Sequence, residues 1–451
     1  MKKYDKYKQA EEAIWYDSIP ISWTSTKMRE VFSERREKVS DKDYPPLSVG
    51  KMGVVPQLDT AVKTDNGDNR KLIKKGDFAI NSRSDRKGSG GMSNYDGSAS
   101  LIITVLKPHH ELNVNFYHYL LRNHYFSEEF YRNGKGLVSD LWTTKWEEMR
   151  NIYIPIPPRD EQDQIVRYLD WQISKINHLI HGYQKQIKLL DERKTTVINE
   201  AVTHGVHADV EMQPVEANWV KEIPAHWEFN KVKQHFEIKK RIAGKEGYDV
   251  ISITQQGLKV KDIASNEGQM AANYSKYQFV YPGDYAMNHM DLLTGYIGLS
   301  DFFGVTSPDY RVFSAIDVER TDLKYFLYVF QLGYKRKIFY GLGRGAANKG
   351  RWRMPAINFK NYDIPVPPIE EQREIVGYIE QETEKIDVLK KEVEKQIEYL
   401  REYRTRLISD VVTGQIDVRD VVIPEYIPEE DTEIDTDDTG EDVEEVAEDA
   451  E

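Results

Sequence analysis

Residues 154–203 read IPIPPRDEQDQIVRYLDWQISKINHLIHGYQKQIKLLDERKTTVINEAVT, and residues 364–413 read IPVPPIEEQREIVGYIEQETEKIDVLKKEVEKQIEYLREYRTRLISDVVT. The two segments align without a gap at an offset of 210 residues, and 21 of their 50 positions are identical. A repeat of this length is too long for a solenoid. The chain therefore contains one large unit twice, and this duplication decides the fold.

Each copy predicts one long helix. Prolines hold its first residues extended, and acidic residues follow at once, where they favour the positive end of a helix dipole. Apolar residues then recur at spacings of three and four, which is the pattern of a heptad seam. Helices over residues 160–203 and 370–413 would each be roughly 65 Å long at ~1.5 Å per residue.

The apolar seam is the predicted interface of each helix with the other helix or with a partner. Lys194 interrupts it in the first copy, and Thr383, Lys390 and Arg404 interrupt it in the second. A spacer helix without any recognition role is equally compatible with heptads alone. The interface residues that we predict are Ile173, Ile176, Ile180, Ile187, Leu190, Ile386, Val393, Ile397, Leu400 and Leu407.

A looser repeat precedes each helix, at offsets that drift from 204 to 210 residues. Trp23 matches Trp227, and the sequence GDFA at residues 76–79 matches GDYA at residues 283–286. The drift indicates insertions in loops on a shared frame. The predicted order is a first module at residues 1–153, a helical segment at 154–206, a second module with its connector at 207–363, a helical segment at 364–420, and a tail at 421–451.

Both modules predict mixed α/β structure, so the fold class is α+β. The first has predicted strands at residues 46–55, 78–81, 100–106 and 151–155, and a helix at 113–131 capped by Asn113. The second has predicted strands at residues 249–253, 285–288 and 310–315, and a helix at 322–340. Because the second module lies between the two long helices, we expect these helices to form an antiparallel coiled coil with an internal pseudo-two-fold repeat.

Composition limits the possible functions. The chain has no cysteine, which excludes disulfides and thiolate metal sites, and it has neither a signal-peptide pattern nor an apolar run that would span a membrane. We expect a cytoplasmic protein. The net charge of -13 is concentrated in residues 424–451, which hold 15 Asp or Glu and no Lys or Arg. We expect this tail to be disordered, and any basic patch to be local.

Catalytic signatures do not occur in the sequence. It has no phosphate-binding G-x-x-x-x-G-K-[ST] loop, no G-x-S-x-G elbow and no adenine-methyltransferase tetrapeptide. The glycines at residues 341–345 are outside any dinucleotide-binding pattern, and His178 with His181 has no third ligand. We therefore predict no catalytic residue, no cofactor site and no metal site in this chain.

Basic and polar loops are the remaining candidates for function. Arg and Lys contact guanine and phosphate, and Asn or Gln contact adenine, so these loops predict DNA binding. A solvated polar loop is the alternative for any single residue. The predicted DNA-binding residues are Arg83, Arg86, Lys87, Asn94, Lys135, Lys145, Gln255, Gln256, Asn288, His289, Arg344, Asn348, Lys349, Arg351 and Arg353.

The chain resembles the specificity subunits of type I restriction-modification systems. The resemblance is carried by the segments IPIPPRDEQ (154–162) and IPVPPIEEQ (364–372), by IPISW (19–23) and IPAHW (223–227), and by the helix ends INEAVTHG (198–205) and ISDVVTGQIDVRD (408–420). It covers nearly everything up to about residue 420, and the acidic tail is outside the pattern.

The resemblance implies that each module is a target recognition domain that reads half of a bipartite double-stranded DNA site. It also implies docking of two methyltransferase subunits, which hold S-adenosylmethionine, and recruitment of motor-nuclease subunits. Two other readings remain at this stage: a coiled-coil scaffold that joins two protein-binding modules without DNA, and a self-sufficient methyltransferase or nuclease, which the missing motifs disfavour. We also expect the acidic tail to compete with DNA for the basic loops.

Overall fold

The computed structural model describes residues 2–57, 67–83, 86–110, 112–136, 142–255, 257–262, 273–345 and 352–428. The chain divides into two compact units, Met1–Gln184 with Lys395–Glu451, and Lys185–Glu394. Each unit contains one module, the first part of one long helix and the last part of the other.

The elements of the first module and the first long helix follow in chain order. They are β1 (Tyr7–Gln9), β2 (Ser18–Pro20), β3 (Thr24–Lys27), α1 (Met28–Val31), β4 (Phe32–Glu34), β5 (Lys38–Val39), β6 (Leu47–Gly50), β7 (Gly53–Pro56), β8 (Arg70–Ile73), β9 (Phe78–Asn81), β10 (Gly90–Met92), β11 (Gly97–Ala99), β12 (Ile103–Pro108), α2 (Val114–Arg122), α3 (His124–Arg132), α4 (Trp146–Met149), β13 (Tyr153–Ile156) and α5 (Arg159–His204).

The second module and the second long helix repeat most of this order. Their elements are β14 (Met212–Pro214), β15 (Glu222–Pro224), β16 (Glu228–Lys231), α6 (Val232–His235), β17 (Phe236–Lys239), β18 (Ile251–Thr254), β19 (Gly257–Val260), β20 (Gln278–Val280), β21 (Tyr285–Met287), β22 (Ile297–Leu299), β23 (Gly304–Thr306), β24 (Arg311–Ala315), α7 (Leu323–Lys335), α8 (Ile338–Gly341), α9 (Ala356–Lys360), β25 (Asp363–Val366) and α10 (Ile369–Val412).

The two modules share one sheet topology. A four-stranded antiparallel sheet has the order β10-β9-β12-β4 in the first module and β22-β21-β24-β17 in the second. The smaller pairs also correspond, because β6-β7 matches β18-β19 and β13-β3 matches β25-β16. The duplication read from the long helices therefore extends to the fold of the modules.

A buried ion pair explains the repeated Gly-Asp segment. In the first module the Nε atom of Arg35 lies 2.6 Å from an Asp77 carboxylate oxygen, and both side chains are buried. In the second, Arg241 and Asp284 are also 2.6 Å apart. Each aspartate also accepts the backbone N–H of the residue three positions earlier, so the pair fixes the turn that leads into the central strand.

The long helices begin and end within one residue of the predicted bounds. Pro158 and Pro368 lie immediately before the first helical residue, and their carbonyls accept the N–H groups of Gln162 and Gln372 at 2.9 and 3.0 Å. The side-chain amides of the same glutamines donate to the carbonyl of the preceding proline, at 3.0 and 2.8 Å. Each glutamine therefore ties the extended proline segment to the first helical turn.

Glycine ends the path of both long helices. Gly205 and Gly414 directly follow the last turns and have φ angles of 78° and 76°. This left-handed conformation suits a residue without a Cβ atom and stops a helix. Gly205 faces Trp227 of the second module, and Gly414 faces Trp23 of the first.

In the unit Lys185–Glu394 the long helices run antiparallel. The Nζ atom of Lys194 is 2.6 Å from an oxygen of Asp387, and the Nζ atom of Lys390 is 2.9 Å from an oxygen of Asp191. In both pairs the two residue numbers add to 581, and a constant sum of this kind is what two helices running in opposite directions produce.

The other unit has the same register. The Nη1 atom of Arg404 donates to the Oδ1 atom of Asn177 at 2.8 Å, and these numbers also add to 581. The hydroxyl of Thr383, in contrast, bonds the carbonyl of Ile379 in its own helix at 2.7 Å. Three of the four interruptions of the predicted seam are therefore polar bonds between the helices.

The predicted seam residues differ in how deeply they are buried. Ile176, Ile180, Ile386, Val393, Ile397 and Leu407 are buried. Ile173, Ile187, Leu190 and Leu400 are half-buried.

Several local predictions differ from the structure. Residues 46–55 form the hairpin β6-β7 because Gly53, with a φ of 95°, turns the chain. The helix predicted at residues 113–131 is two helices: Asn113 caps the first, as predicted, and Asn123 caps the second through its bond to the Phe126 N–H. The strand predicted at 100–106 begins at Ile103. The connector before the second module contains strand β14.

The segment after α10 packs on the beginning of the chain. The backbone N–H of Asp417 donates to the Lys2 carbonyl at 2.9 Å, and the Tyr7 hydroxyl donates to the Gly414 carbonyl at 3.1 Å. The tail predicted to be disordered lies outside the described residues from position 429 onward.

Candidate nucleic-acid interface

Two polar loops of the first module lie side by side. Arg83 and Lys135 both form antiparallel bridges with Thr143, and the Thr144 N–H donates to the Ser82 carbonyl at 2.9 Å. Lys145 is exposed and follows directly. The pairing therefore gathers Arg83, Lys135 and Lys145 beyond the carboxyl end of β9. We call these three residues the first basic cluster.

The other candidates of the first module have different surroundings. Lys87 forms an ion pair with Glu128, and its Nζ atom lies 5.0 Å from the centre of the Tyr131 ring. Arg86 is half-buried in the same loop. Asn94 is exposed in a turn at the opposite end of β9, because Phe78 pairs with Met92. The structure therefore does not bring Asn94 to the first basic cluster.

The second module repeats the arrangement with other side chains. Arg344 and Arg353 exchange backbone bonds of 2.8 and 3.2 Å, and the Met354 N–H donates to the His289 carbonyl at 3.0 Å. These bonds place His289, Arg344 and Arg353 together beyond the carboxyl end of β21. We call these three residues the second basic cluster.

His289 is a neutral side chain at ordinary pH. Burial, with the positive charges of Arg311 and Arg353, lowers its pKa to about 4. Its Nδ1 atom is buried and has no hydrogen-bond partner among the described residues. A neutral imidazole has one donor and one acceptor nitrogen. The residue as a whole is half-buried, so the accessible part of its ring is a candidate for contact with a bound ligand.

Two further candidates lie around the second basic cluster. Asn288 is half-buried, and its Oδ1 atom accepts the Met290 N–H at 3.2 Å, which holds the turn after β21. Gln255 is exposed in the β18-β19 hairpin, and its side-chain amide lies 3.4 Å from the carbonyl of Thr294, which belongs to the turn after β21. Gln256, Asn348, Lys349 and Arg351 lie outside the described residues.

In each module a tryptophan holds the paired loops in place. We call these loops, together with the backbone bonds that join them, the loop frame. The indole N–H of Trp142 and that of Trp352 donate to a tyrosine carbonyl in the preceding helix, at 2.9 and 2.6 Å. A Cβ atom built on Gly134 or on Gly343 would lie 2.2 Å from the facing indole nitrogen. The glycine is therefore required for the ring to close the loop, and in the sequence Gly134 matches Gly343 at an offset of 209 residues and Trp142 matches Trp352 at an offset of 210.

Sequence reasoning missed residues that shape the loops but are not among the predicted DNA contacts. Thr143 joins two of the basic loops, but its role depends on pairing between distant segments. Asp291 accepts the N–H groups of Leu293 and Thr294 at 2.9 and 3.0 Å and so closes the turn after β21. An aspartate followed by such a turn is a detectable signal.

The arrangement suits contact with a nucleic acid rather than catalysis. Exposed arginines and lysines neutralise phosphates, and arginine or a neutral imidazole reaches base edges. Within the part of the chain that the structure describes, no group of His, Asp or Glu side chains could hold a metal ion. Nor is any helix there long and apolar enough to cross a membrane.

Comparison with known families gives the same answer. The model of the "Type I restriction modification DNA specificity domain" matches residues 20–189 and, a second time, residues 224–399. The chain belongs to the type I restriction-modification DNA specificity family. It is thus a specificity subunit with two DNA recognition domains, a non-catalytic part of its system, and the reading as a scaffold without DNA is not favoured.

Two relatives of this specificity subunit are specificity subunits by name. The putative type I restriction enzyme MjaX specificity subunit of Methanocaldococcus jannaschii is 22% identical over 92% of this chain and 98% of that protein. The MjaVIII specificity subunit of the same organism is 26% identical over 60% of this chain and 64% of that protein.

A solved structure shares the fold. It is described as the "Structural basis underlying complex assembly and conformational transition of the type I R-M system", and the matched chain has a TM-score of 0.59 and 15% identity. The match covers 89% of this specificity subunit and 100% of that chain.

Proposed function

We propose that this specificity subunit recognises a bipartite double-stranded DNA site, with one half read by each module. The first basic cluster contacts one half, and the second basic cluster with Gln255 and Asn288 contacts the other. The observation that carries the proposal is the duplicated loop frame: equivalent backbone bonds present Arg83 and Lys135 in one module and His289 and Arg344 in the other. Because the loop frames of the two modules are alike but their side chains differ, the modules suit two different half-sites.

The domain boundaries follow from this assignment. The target recognition domains are residues 1–153 and 207–363, the helical segments are residues 154–206 and 364–420, and the acidic tail is residues 421–451. The two helices serve as the ruler between the half-sites. If both modules face the same side of the duplex, the half-site centres lie roughly one helical turn, ~10 bp, apart.

The partners are subunits that carry the chemistry. Two methyltransferase subunits dock on the long helices and hold S-adenosylmethionine, and motor-nuclease subunits join them for cleavage. A matched structure described as type I complex assembly supports an assembly of this kind. The compartment is the cytoplasm, where the DNA substrate would be accessible.

Salt dependence of DNA binding tests the proposal. Each phosphate contact steepens the fall of log K with log salt by ~0.9. Arg344→Gln and Arg353→Gln should each weaken binding, with a slope smaller by about 1 for a phosphate contact or a loss of about 1–3 kcal/mol at one base for an edge contact. Arg373→Gln, at an exposed ion-paired arginine of α10, is the matched control. DNA affinity without a salt slope, or equal losses in all three variants, would refute the proposal.

A further inference from the structure

The chain that follows α10 runs along α5 in the unit Met1–Gln184 with Lys395–Glu451. The side-chain amide of Gln164 donates to the carbonyls of Val418 and Val421, at 2.9 and 2.8 Å. Further along the helix, the Ser174 hydroxyl donates to the Ile427 carbonyl at 3.3 Å. The segment therefore advances in the same direction as α5, over ten residues of helix or ~15 Å.

The last described residues enter a groove on α5. Tyr426 and Ile427 line it together with Ser174, Lys175, His178 and Leu179. Tyr426 is half-buried there, while Leu179 remains 51% exposed and Ile427 91% exposed. The groove thus holds the start of the tail and leaves apolar surface beside it uncovered.

The surface just beyond the groove is basic. His178 and His181 follow Lys175 on α5, and Arg404 of α10 donates to Asn177 from across the helix pair. Arg401 lies one turn from Arg404. Residues 429–451 continue the chain from this place with 14 Asp or Glu and no Lys or Arg. Opposite charges therefore meet where the described tail ends.

We propose that residues 429–451 bind the basic face of the two long helices beside the groove, as a strap within the chain. Tyr426 in the groove and the bond from Ser174 to the Ile427 carbonyl anchor the strap, and Lys175, Arg401 and Arg404 attract its carboxylates. The six residues after Ile427 can reach ~20 Å when extended, and Leu179 lies only ~7.5 Å along the helix from Ser174. The occupant of this surface is the tail rather than DNA, and the inference stands independently of what the modules recognise.

Introduced cysteines test the strap, since the natural chain has none. A cysteine replaces Glu433 or, in a second set, Asp437, and is combined with Leu179→Cys on the helix or with Asn94→Cys in the first module, at the end of β9 opposite the first basic cluster. Leu179 and Asn94 are both exposed in the natural chain. The full-length protein is oxidised at low salt, and the rate of disulfide formation is measured by mass spectrometry. We expect the Leu179 pairs to form about tenfold faster than the Asn94 pairs, and salt to remove most of the difference because it screens the charges.

The reverse results overturn the proposal. Equal rates for positions 179 and 94 in both sets would mean a tail without a docking site, and faster coupling at Asn94 would place the tail on the first module instead of the groove. A charge-reversed helix, Lys175→Glu with Arg401→Glu, should slow the Leu179 coupling about tenfold without changing the helical circular dichroism. Unchanged coupling in that variant would also exclude the strap. None of these measurements uses DNA, so their failure is separate from a failure of DNA recognition.

Discussion

At the scale of single residues, identical positions in the two copies have different bonding partners. Glu161 accepts the Trp23 indole N–H at 2.9 Å and also bonds the Tyr4 hydroxyl. Glu371, its counterpart, bonds His226 at 2.8 Å instead, while the indole nitrogen of Trp227 has no partner among the described residues. The first copy has Ser22 where the second has His226, and this exchange redirects the carboxylate.

Glu161→Ala should therefore cost more stability than Glu371→Ala. The first change leaves the buried indole N–H of Trp23 without its acceptor, which lowers the free energy of unfolding by about 1–3 kcal/mol. The second removes a partly exposed contact to His226, at about 1 kcal/mol or less. Denaturant unfolding of both variants measures the free-energy difference. Equal losses would show that the bond to Trp23 has no special role.

Two glycines of the second module differ in the space that surrounds them. Gly343→Ala would drive a Cβ atom into the Trp352 ring, whereas Gly341→Ala, two residues earlier, meets no atom within 4 Å. We expect Gly343→Ala to cost about 1–3 kcal/mol as an overpacked site and to lower DNA affinity about tenfold by opening the loop. Gly341→Ala should match the natural chain in a filter-binding titration. If both variants bind alike, the closed loop is not required for recognition.

The candidate site was predictable from sequence only in part. Arg344, Arg353 and His289 stand out as charged or polar residues in loops, but their proximity depends on a backbone bond from Met354 to His289, which are far apart in the sequence. In the sequence, residues 81–94 (NSRSDRKGSGGMSN) form one stretch rich in Gly and Ser, which predicts Asn94 and Arg83 in the same loop. Strand β10 interrupts that stretch, and a glycine-rich strand such as GGM has a weak sequence signal.

At the scale of elements, the long helices were predicted within one residue because prolines begin them and glycines end them. The polar residues in the seam were harder to interpret. Lys194 and Lys390 looked like breaks in a heptad pattern, yet each bonds an aspartate of the other helix. A charged seam residue is costly unless the register supplies a partner, so these pairs favour one alignment of the helices.

The register allows a test of the helices as a ruler. Seven residues inserted after Gln186 and seven after Glu394 keep all three polar cross-helix pairs, since the insertions face each other in the observed register. Each helix lengthens by ~10.5 Å, or ~3 bp of duplex. The methylated site should then have a spacer longer by up to about 3 bp. A variant that methylates DNA with the original spacer would reject the ruler.

At the scale of the whole molecule, duplication produces two readers in one chain. The equal sheet orders and the equal loop frames come from one ancestral pattern, while the side chains at the loop ends differ. The sequence could show the duplication because the framework positions match. It could not show which bases are read, because the proposed contacts come from loop residues whose positions depend on tertiary pairing.

Exchange of one module tests this independence. Replacing residues 24–150 by the corresponding residues of another specificity subunit should change one half of the recognised site and leave the other half and the spacer unaltered. The matched control is the same exchange at the second module, which should change only the other half. An altered sequence in both halves after either exchange would contradict separate readout.

In this account, two modules recognise two different half-sites at a fixed distance. A map of methylated adenines tests this most directly. The DNA comes from cells that make this subunit with its methyltransferase, and the map is obtained by single-molecule sequencing. We expect two short specified segments separated by unspecified bases, with centres ~10 bp apart. One uninterrupted specified motif would contradict it.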